Sequence, residues 1–487
     1  MNTSLNAQRR AADLEAVPRE VVDVLVIGGG VTGAGVALDA ASRGLSVTLV
    51  EAHDLAFGTS RWSSKLIHGG LRYLAHGEVG LARESAIERG IVMTRTAPHL
   101  TRSLPQLIPL HDNISRSQAA LAYAGLHAGD LLRRAARTPS ALLPRPRRVP
   151  AAEALALAPA LRRSGLRGGL LSYDGQLVDD ARFVVALART AAGFGARILT
   201  RTKALAVERT SARLLDSLGG NEFEIQARRV VNATGVWAGQ LVPSVRLRPS
   251  LGSHLVVGGS ASTALTVPVP GERNRYVIVL PQADDRTYIG LTDEPVDGAV
   301  PDVPTVPESD VDFLLTVASS VLERPLTRAD VLGSYAGLRP LLRAEGASAD
   351  LSRRHAVLTA PNGVITVVGG KFTTYRRMAE DAVDATGLAS VPSRTKDVPL
   401  VGAASRPELA RLNAPARLVG KYGVEAVDVA ALDPTELHPA LTAAEVTWAV
   451  RHEGALDAED ILHRRSRIGL VPGEAAALTD LVSSLTG

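Results

Sequence analysis

Residues 21–27 read VVDVLVI, a β-rich apolar run, and GGGVTGAG comes directly after it. An apolar run of this kind fits a strand buried on both faces of a parallel sheet. The next residues, VALDAASRG, are small and helical and close at Gly44, after which LSVTLVE returns to an apolar strand ending in Glu51. Strand, glycine turn, helix and strand within about thirty residues make one βαβ unit. No other feature narrows the fold as far, because a strand buried on both faces, followed by a glycine turn and a helix, belongs to a parallel α/β sheet.

Gly28, Gly30 and Gly33 have the spacing G-x-G-x-x-G, and Glu51 lies 18 residues beyond Gly33. The first glycine makes the turn, the second lets the backbone approach a pyrophosphate at the helix N-terminus, and the third lets helix and strand pack closely. Glu51 can accept hydrogen bonds from both hydroxyls of an adenosine ribose. An acid there disfavours a 2′-phosphate, which argues against NADP and leaves NAD or FAD. A second stretch, VVGGKFTTYRR at residues 367–377, sets two glycines, a lysine and two threonines at a helix start. Thr373 or Thr374 is a candidate cap, and the positive end of that helix would favour negative charge on a reduced flavin. That arrangement suits FAD.

Composition closes other routes. The 487 residues suffice for two or three domains, and the hydrophobic share of 46% is ordinary for a folded chain. A net charge of +4 is small for this size and offers no general signal for nucleic acid. The absence of cysteine removes disulfides, thiolate metal sites and thiol catalysis, and fits a reducing interior. No metal site is expected. Neither an N-terminal apolar run nor a later stretch of about eighteen apolar residues occurs, so the expectation is a cytoplasmic protein without a membrane span. Only five lysines (Lys65, Lys203, Lys371, Lys396 and Lys421) stand among 54 basic residues. Two of them, Lys65 and Lys371, fall in the motifs that carry the chemistry.

Along the chain, residues 1–20 read as an extension and 21–110 as the first part of the nucleotide domain. Residues 111–170 form a helical, basic insertion, and 171–245 return to the nucleotide domain, with an acidic helix start at Asp179 and the short strand VVNATG. From 246 to 345, apolar runs alternate with polar breaks such as QADDR, which predicts an antiparallel sheet and a second domain. Residues 346–390 come back to the first domain, and 391–487 give a linker and a small helical domain. The stretch between Leu131 and Pro150 holds six arginines and no acid. It reads either as a solvated Pro-rich connection or as a patch for anionic lipid headgroups.

The densest chemistry lies in SSKLIHGGLRYL, residues 63–74. Together with IGGGVTGAGVALDAASRGLSVTLVE, VNATGVWA, GSHLVV, YAGLRP and VVGGKFTTYR, in this order, it resembles the FAD-dependent, quinone-linked glycerol-3-phosphate dehydrogenases over about residues 21–467. The resemblance implies an α/β fold like that of the D-amino-acid oxidase group: a Rossmann-type FAD-binding domain, an antiparallel-sheet substrate domain and a helical C-terminal domain. It implies oxidation of sn-glycerol 3-phosphate to dihydroxyacetone phosphate, non-covalent FAD, and a membrane quinone as acceptor at the cytoplasmic face of the cell membrane. Thr59, Ser60, Ser64, Lys65, Leu66, His68, Gly235 and Gly370 then fall on the cofactor side with Thr373 and Thr374. The sequence departs from the family at Arg61 and Trp62, where relatives often carry small residues, and this bears on access to the outer edge of the flavin.

Substrate chemistry points the same way. A buried phosphate dianion needs cations of fixed geometry, and arginine offers a bidentate fork where lysine offers a point charge. Arg72, Arg339 and Arg353 match family positions for substrate or its phosphate, with Arg354 the competitor for Arg353. Tyr73 and Lys371 would contact substrate oxygens. His254, in GSHLVV, is the candidate proton acceptor, with a satisfied core histidine the alternative, while Arg339 and Lys371 would stabilise a developing alkoxide. A homodimer is the assembly considered. An oxidase using oxygen and a non-catalytic flavin protein at the membrane are the competing readings.

Overall fold

The computed structural model describes residues 2–74, 77–259, 261–272, 275–343 and 354–486, and leaves the side chains of Leu71 and Arg72 undescribed. The strand Val21–Ile27, the helix Val31–Ser42 and the strand Val47–Val50 succeed one another as the opening motif predicts. Gly28 turns the chain at φ +110°, a conformation that side-chain-bearing residues rarely adopt, and its N–H donates to Val50 O at 2.8 Å. A Cβ on Gly33 would stand 1.8 Å from Gly28 O, so the helix reaches the strand end only because that position is bare.

Val21–Ile27 sits at the centre of a sheet, parallel to Val47–Val50 on one side and to Glu222–Asn232 on the other. Arg197–Leu199 extends it beyond Val47–Val50, and Ile365–Gly369 lies parallel to Glu222–Asn232. Helices Val31–Ser42, Asp180–Gly193 and Tyr375–Ala385 cover one face. Asp179 caps the second of these, accepting from Arg182 N at 2.8 Å. Gly35 admits the Tyr375 ring, which meets Phe183 edge-on at 5.3 Å. An antiparallel hairpin, Thr202–Val207 with Ser211–Asp216, continues into Glu222–Asn232.

The second sheet is larger than residues 246–345 alone provide. Ser250–Gly258, Ala264–Pro268, Tyr276–Pro281, Arg286–Gly290 and Val331–Arg339 form its antiparallel part. Thr101–Pro109 joins it parallel to Ala264–Pro268, with Gly169–Leu177, Arg147–Val149 and Leu66–Ile67 beyond. Leu66–Ile67 and Thr101–Pro109, inside residues 21–110, and Gly169–Leu177, which spans position 171, therefore belong to this sheet and not to that of the nucleotide domain. Thr101–Pro109 and Gly169–Leu177 pair with each other across about sixty residues of chain, and such pairing leaves no local signal. An α-helix, Val79–Ile91, precedes Thr101–Pro109 and is succeeded by a π-helical turn, Val92–Thr96.

Residues 443–452 and 472–486 supply the main helices of the C-terminal domain, the first with a Thr442–Glu445 capping box. Buried arginine forks fasten this domain to the nucleotide domain. Arg182 donates to both oxygens of Glu453 at 2.6 and 2.8 Å, and Arg189 to both of Glu425 at 2.7 Å.

Gly33→Ala is expected to cost about 2 kcal/mol or more, because strand turn or helix must move to admit the methyl. Gly125→Ala, in the helix Arg116–Ala135 with nothing within 4 Å of the added carbon, is expected to be neutral or stabilising. Urea denaturation of the two variants checks this, and equal midpoints would refute the contact.

Candidate active site

A cavity of about 2880 Å³ runs between the two sheets. Its inner end is the glycine turn. Gly28, Gly30, Val31 and Thr32 line it, so the open N-terminus of the helix Val31–Ser42 faces the space. Ser60 Oγ accepts from Val31 N at 2.9 Å, and a Cβ on Gly30 would lie 3.1 Å from that oxygen. Glu51 faces the same end. Its Oε2 accepts from Gly29 N at 2.6 Å and its Oε1 from His53 N at 2.9 Å, which fixes the carboxylate against the turn. Desolvation raises the pKa of this carboxyl, and the two backbone N–H groups work against that rise.

The middle of the cavity is walled by the loop 58–74. Thr59 Oγ1 donates to Leu338 O of the second sheet at 2.7 Å. The indole of Trp237 covers Gly58, and Trp62, Ser64, Leu66 and His68 line the space. His68 N donates to Thr373 Oγ1 at 3.3 Å, joining this loop to the turn at Gly369 and Gly370, where φ is +75° and +70°. Gly235, at φ +59°, closes the wall from the end of Glu222–Asn232.

At the outer end the second sheet presents His254 and Arg339, and the first presents Lys371. His254 Nε2 is 2.8 Å from Ser64 Oγ, and its ring stacks on Tyr335 at 4.7 Å with 7° between planes. Arg339 donates to Asp293 Oδ1 at 3.0 Å and to Thr292 O at 3.1 Å. Lys371 Nζ donates to Ser85 Oγ at 3.0 Å and stands 3.3 Å from the Tyr73 ring centroid, a cation–π contact. A nucleotide-binding end and a cationic end thus share one cavity.

Comparison with known proteins decides what such a cavity belongs to. Residues 23–376 match the FAD dependent oxidoreductase family, and residues 393–485 match the C-terminal domain of alpha-glycerophosphate oxidase. Glycerol-3-phosphate dehydrogenase 1 of Mycobacterium tuberculosis (strain ATCC 25618 / H37Rv) is 53% identical, covering 97% of this chain and 96% of its own. The chain belongs to the FAD-dependent glycerol-3-phosphate dehydrogenases. The glycerol-3-phosphate dehydrogenase of Mycobacterium leprae is 40% identical over 96% of this chain and 84% of its own. Among solved structures, the glycerol-3-phosphate dehydrogenase of Bacillus halodurans, complexed with FAD, superposes with a TM-score of 0.76 at 26% identity, covering 99% of this chain and 94% of that one. FAD is the cofactor, and the residues fit it: the bare turn and open helix end suit a pyrophosphate, and Glu51 suits a ribose diol.

Not every candidate residue lines the cavity. Gly33 acts by packing, as its contact with Gly28 shows. Lys65, expected on the cofactor side, has its side chain turned into the protein. At φ +56° it donates to Asp180 Oδ2 at 2.9 Å and to Arg61 O at 2.6 Å, because a buried ammonium requires a carboxylate more than it tolerates an apolar wall. Thr374 does not line the cavity, and neither threonine caps the helix Tyr375–Ala385 by its side chain. Thr374 Oγ1 donates back to Lys371 O at 3.4 Å, while Thr373 faces the cavity. The side chain of Arg72 and all of Arg353 lie outside the described residues. Arg61 stacks its guanidinium over Phe57 and Trp62, at 5.0 and 4.2 Å, and Arg61 itself does not reach the cavity, whereas Trp62 does. Burial, reinforced by Arg464, lowers the Arg61 pKa to about 9.

Three acids at the site carry no motif in the sequence. Asp180 accepts from Ser63 N, Ser63 Oγ and Lys65 Nζ; Asp174 accepts from Gly69 N and Arg89; Asp293 holds Arg339. The doublet Asp179–Asp180 is legible only as a helix start, and nothing local marks the other two.

Burial, with Lys65 and Arg339 adding to it, pushes the His254 pKa down to about 3, and burial with Arg182 does the same to His99. Both imidazoles are neutral in the folded protein and titrate near 6.5 when unfolded. The unfolded chain therefore binds more protons below about pH 6.5. Stability is full above that pH and falls by about 1.4 kcal/mol per pH unit per imidazole down to about pH 3. Urea midpoints at about pH 7 and pH 5 should show this loss, and His99→Gln should make it shallower. An equal loss in His99→Gln would mean that His99 is not buried neutral.

Proposed function

We propose that this protein oxidises sn-glycerol 3-phosphate to dihydroxyacetone phosphate and delivers the electrons to a membrane quinone. The observation that carries the reading is the cationic end of the cavity: Lys371 on Tyr73 and Arg339 on Asp293 face the same space as the His254–Ser64 pair. FAD, when bound, supplies the hydride acceptor. The chain's own residues do the rest. Lys371 and Arg339 draw the phosphate and substrate oxygens into register, and their charge stabilises an alkoxide at the substrate hydroxyl. His254 Nε2, fixed by Ser64 Oγ and the Tyr335 ring, is the acceptor for the hydroxyl proton. A neutral imidazole among cations is a weak base in the free site, and a phosphate dianion beside Arg339 raises its proton affinity. Arg72 and Arg353 complete the substrate set in this reading. Tyr73 orients Lys371 through its ring face.

Peripheral attachment to an anionic membrane face is supported by the helix Arg116–Ala135 and the arginine-rich stretch it leads into. Leu121 and Leu131 on that helix are 74% and 62% exposed, and Arg134 in its last turn is 45% exposed. No helix among the described residues is long and apolar enough to cross a membrane.

Anaerobic addition of glycerol 3-phosphate to the purified flavoprotein should bleach the flavin absorbance, and reoxidation should be faster with a soluble quinone analogue than with oxygen. Rapid reoxidation by oxygen alone would favour the oxidase reading. Lys371→Met should raise KM by about tenfold or more while FAD stays bound, and His254→Asn should lower kcat by about 10²-fold with little change in KM. Co-sedimentation with vesicles should require anionic lipid and weaken with salt. Equal sedimentation with neutral vesicles would refute the electrostatic attachment.

A further inference from the structure

Glu51 follows the strand Val47–Val50, and Ala52, His53 and Phe57 continue as the cavity wall beside it. On one side the glycine turn holds this segment: Ala56 N donates to Gly29 O at 3.0 Å, and Ala56 is held at φ +63°. On the other side Asp54 points away from the cavity into the C-terminal domain and is 1% exposed. Arg465 donates to its two oxygens at 2.8 and 2.9 Å, and Arg464 Nε donates to Oδ2 at 2.8 Å. A second arm lies alongside. Arg201 N donates to His53 O at 2.7 Å, while Arg201 Nη2 donates to Asp457 at 2.7 Å and to Asp460 at 2.8 Å. Arg201, Asp457 and Glu459 all line the cavity, so the C-terminal domain forms part of its wall there.

Two guanidinium groups on one buried carboxylate are more than domain docking needs, since Arg182–Glu453 and Arg189–Glu425 already dock the same two domains. Burial by itself would raise the Asp54 pKa, but Arg465 and Arg464 bring it below the usual carboxylate range, so the carboxylate stays charged and bound. What the double fork adds is a fixed position three residues beyond Glu51. We infer that Arg464 and Arg465 are positioning residues for the adenosine half of FAD: through Asp54 the C-terminal domain holds the segment after Glu51, and with it the carboxylate that receives the ribose. This rests on the reading of Glu51 as the ribose acceptor.

The test measures FAD release from the full-length holoenzyme by recovery of flavin fluorescence on dilution, and ADP affinity of the same protein stripped of flavin. Arg465→Lys keeps the charge and loses the fork. It is expected to speed FAD release and weaken ADP binding by about tenfold, while the reloaded enzyme keeps its flavin spectrum and its KM for glycerol 3-phosphate. Asp457→Asn, at a half-exposed position, should give a smaller change of about two- to threefold in the same direction, and it provides the answer if Arg465→Lys does not fold. Arg189→Lys, which loosens the same domain contact away from the cavity, should lower Tm and leave FAD release unchanged. Unchanged FAD release in Arg465→Lys and Asp457→Asn, or equal acceleration in Arg189→Lys, would overturn the inference. Glu51→Gln separates the two layers. If it leaves ADP affinity intact, the ribose reading fails; if it weakens ADP while Arg465→Lys does not, the positioning role alone fails.

Discussion

The site depends on one buried carboxylate. Asp180, the first residue of the helix Asp180–Gly193, receives Ser63 N, Ser63 Oγ and Lys65 Nζ, and Lys65 in turn reaches Arg61 O. Tyr335 of the second sheet donates to Ser63 O at 3.1 Å and its ring lies 5.0 Å from the Lys65 ammonium. One helix, one loop and one sheet therefore meet at a single charge pair that is 1% exposed on both sides. Removing either partner would leave an uncompensated buried charge, at a cost of roughly 3–5 kcal/mol. Ser64 is the next residue along the loop, and its hydroxyl holds His254. The proton acceptor proposed for catalysis is thus positioned by the same pair that binds the loop to the nucleotide domain.

Three of the five lysines make sense in this light. Lys65 is sealed against a carboxylate, Lys421 sits with Arg417 on Glu445, and Lys371 lies on an aromatic face at the cavity. A compact ammonium fits these enclosed places, where a planar fork would need a second acceptor. The arginines do the opposite work. Arg182, Arg189, Arg376 and Arg465 each engage both oxygens of a carboxylate on a distant segment, and three of these pairs hold the C-terminal domain. Such forks fix orientation as well as distance.

Electrostatics at the outer end derive from this division. Lys65 is neutralised by Asp180 and Arg339 is held by Asp293, yet both still depress His254, because burial amplifies charges that are not in direct contact. A dianionic substrate would reverse that field at the place where a proton must be accepted. In the proposed reaction the cavity joins both reactants of a hydride transfer. The loop 58–74 contributes Ser64, Leu66, His68 and Tyr73 to its wall.

The local pattern of residues 21–51 determined this end of the fold by itself: periodicity and bare turn positions act within about thirty residues, so the strand, turn, helix and second strand were legible there. Motif likeness also carried His254, Arg339, Lys371 and Tyr73 to one cavity. Only the tertiary structure decided that Lys65 turns inward to Asp180, that Thr374 does not cap its helix, and that Thr101–Pro109 and Gly169–Leu177 belong to the second sheet. It alone brought Arg464 and Arg465 onto Asp54, 410 and 411 residues away. Partners at such separations are chosen by burial and charge once the chain is compact, and neither propensity nor spacing records that choice.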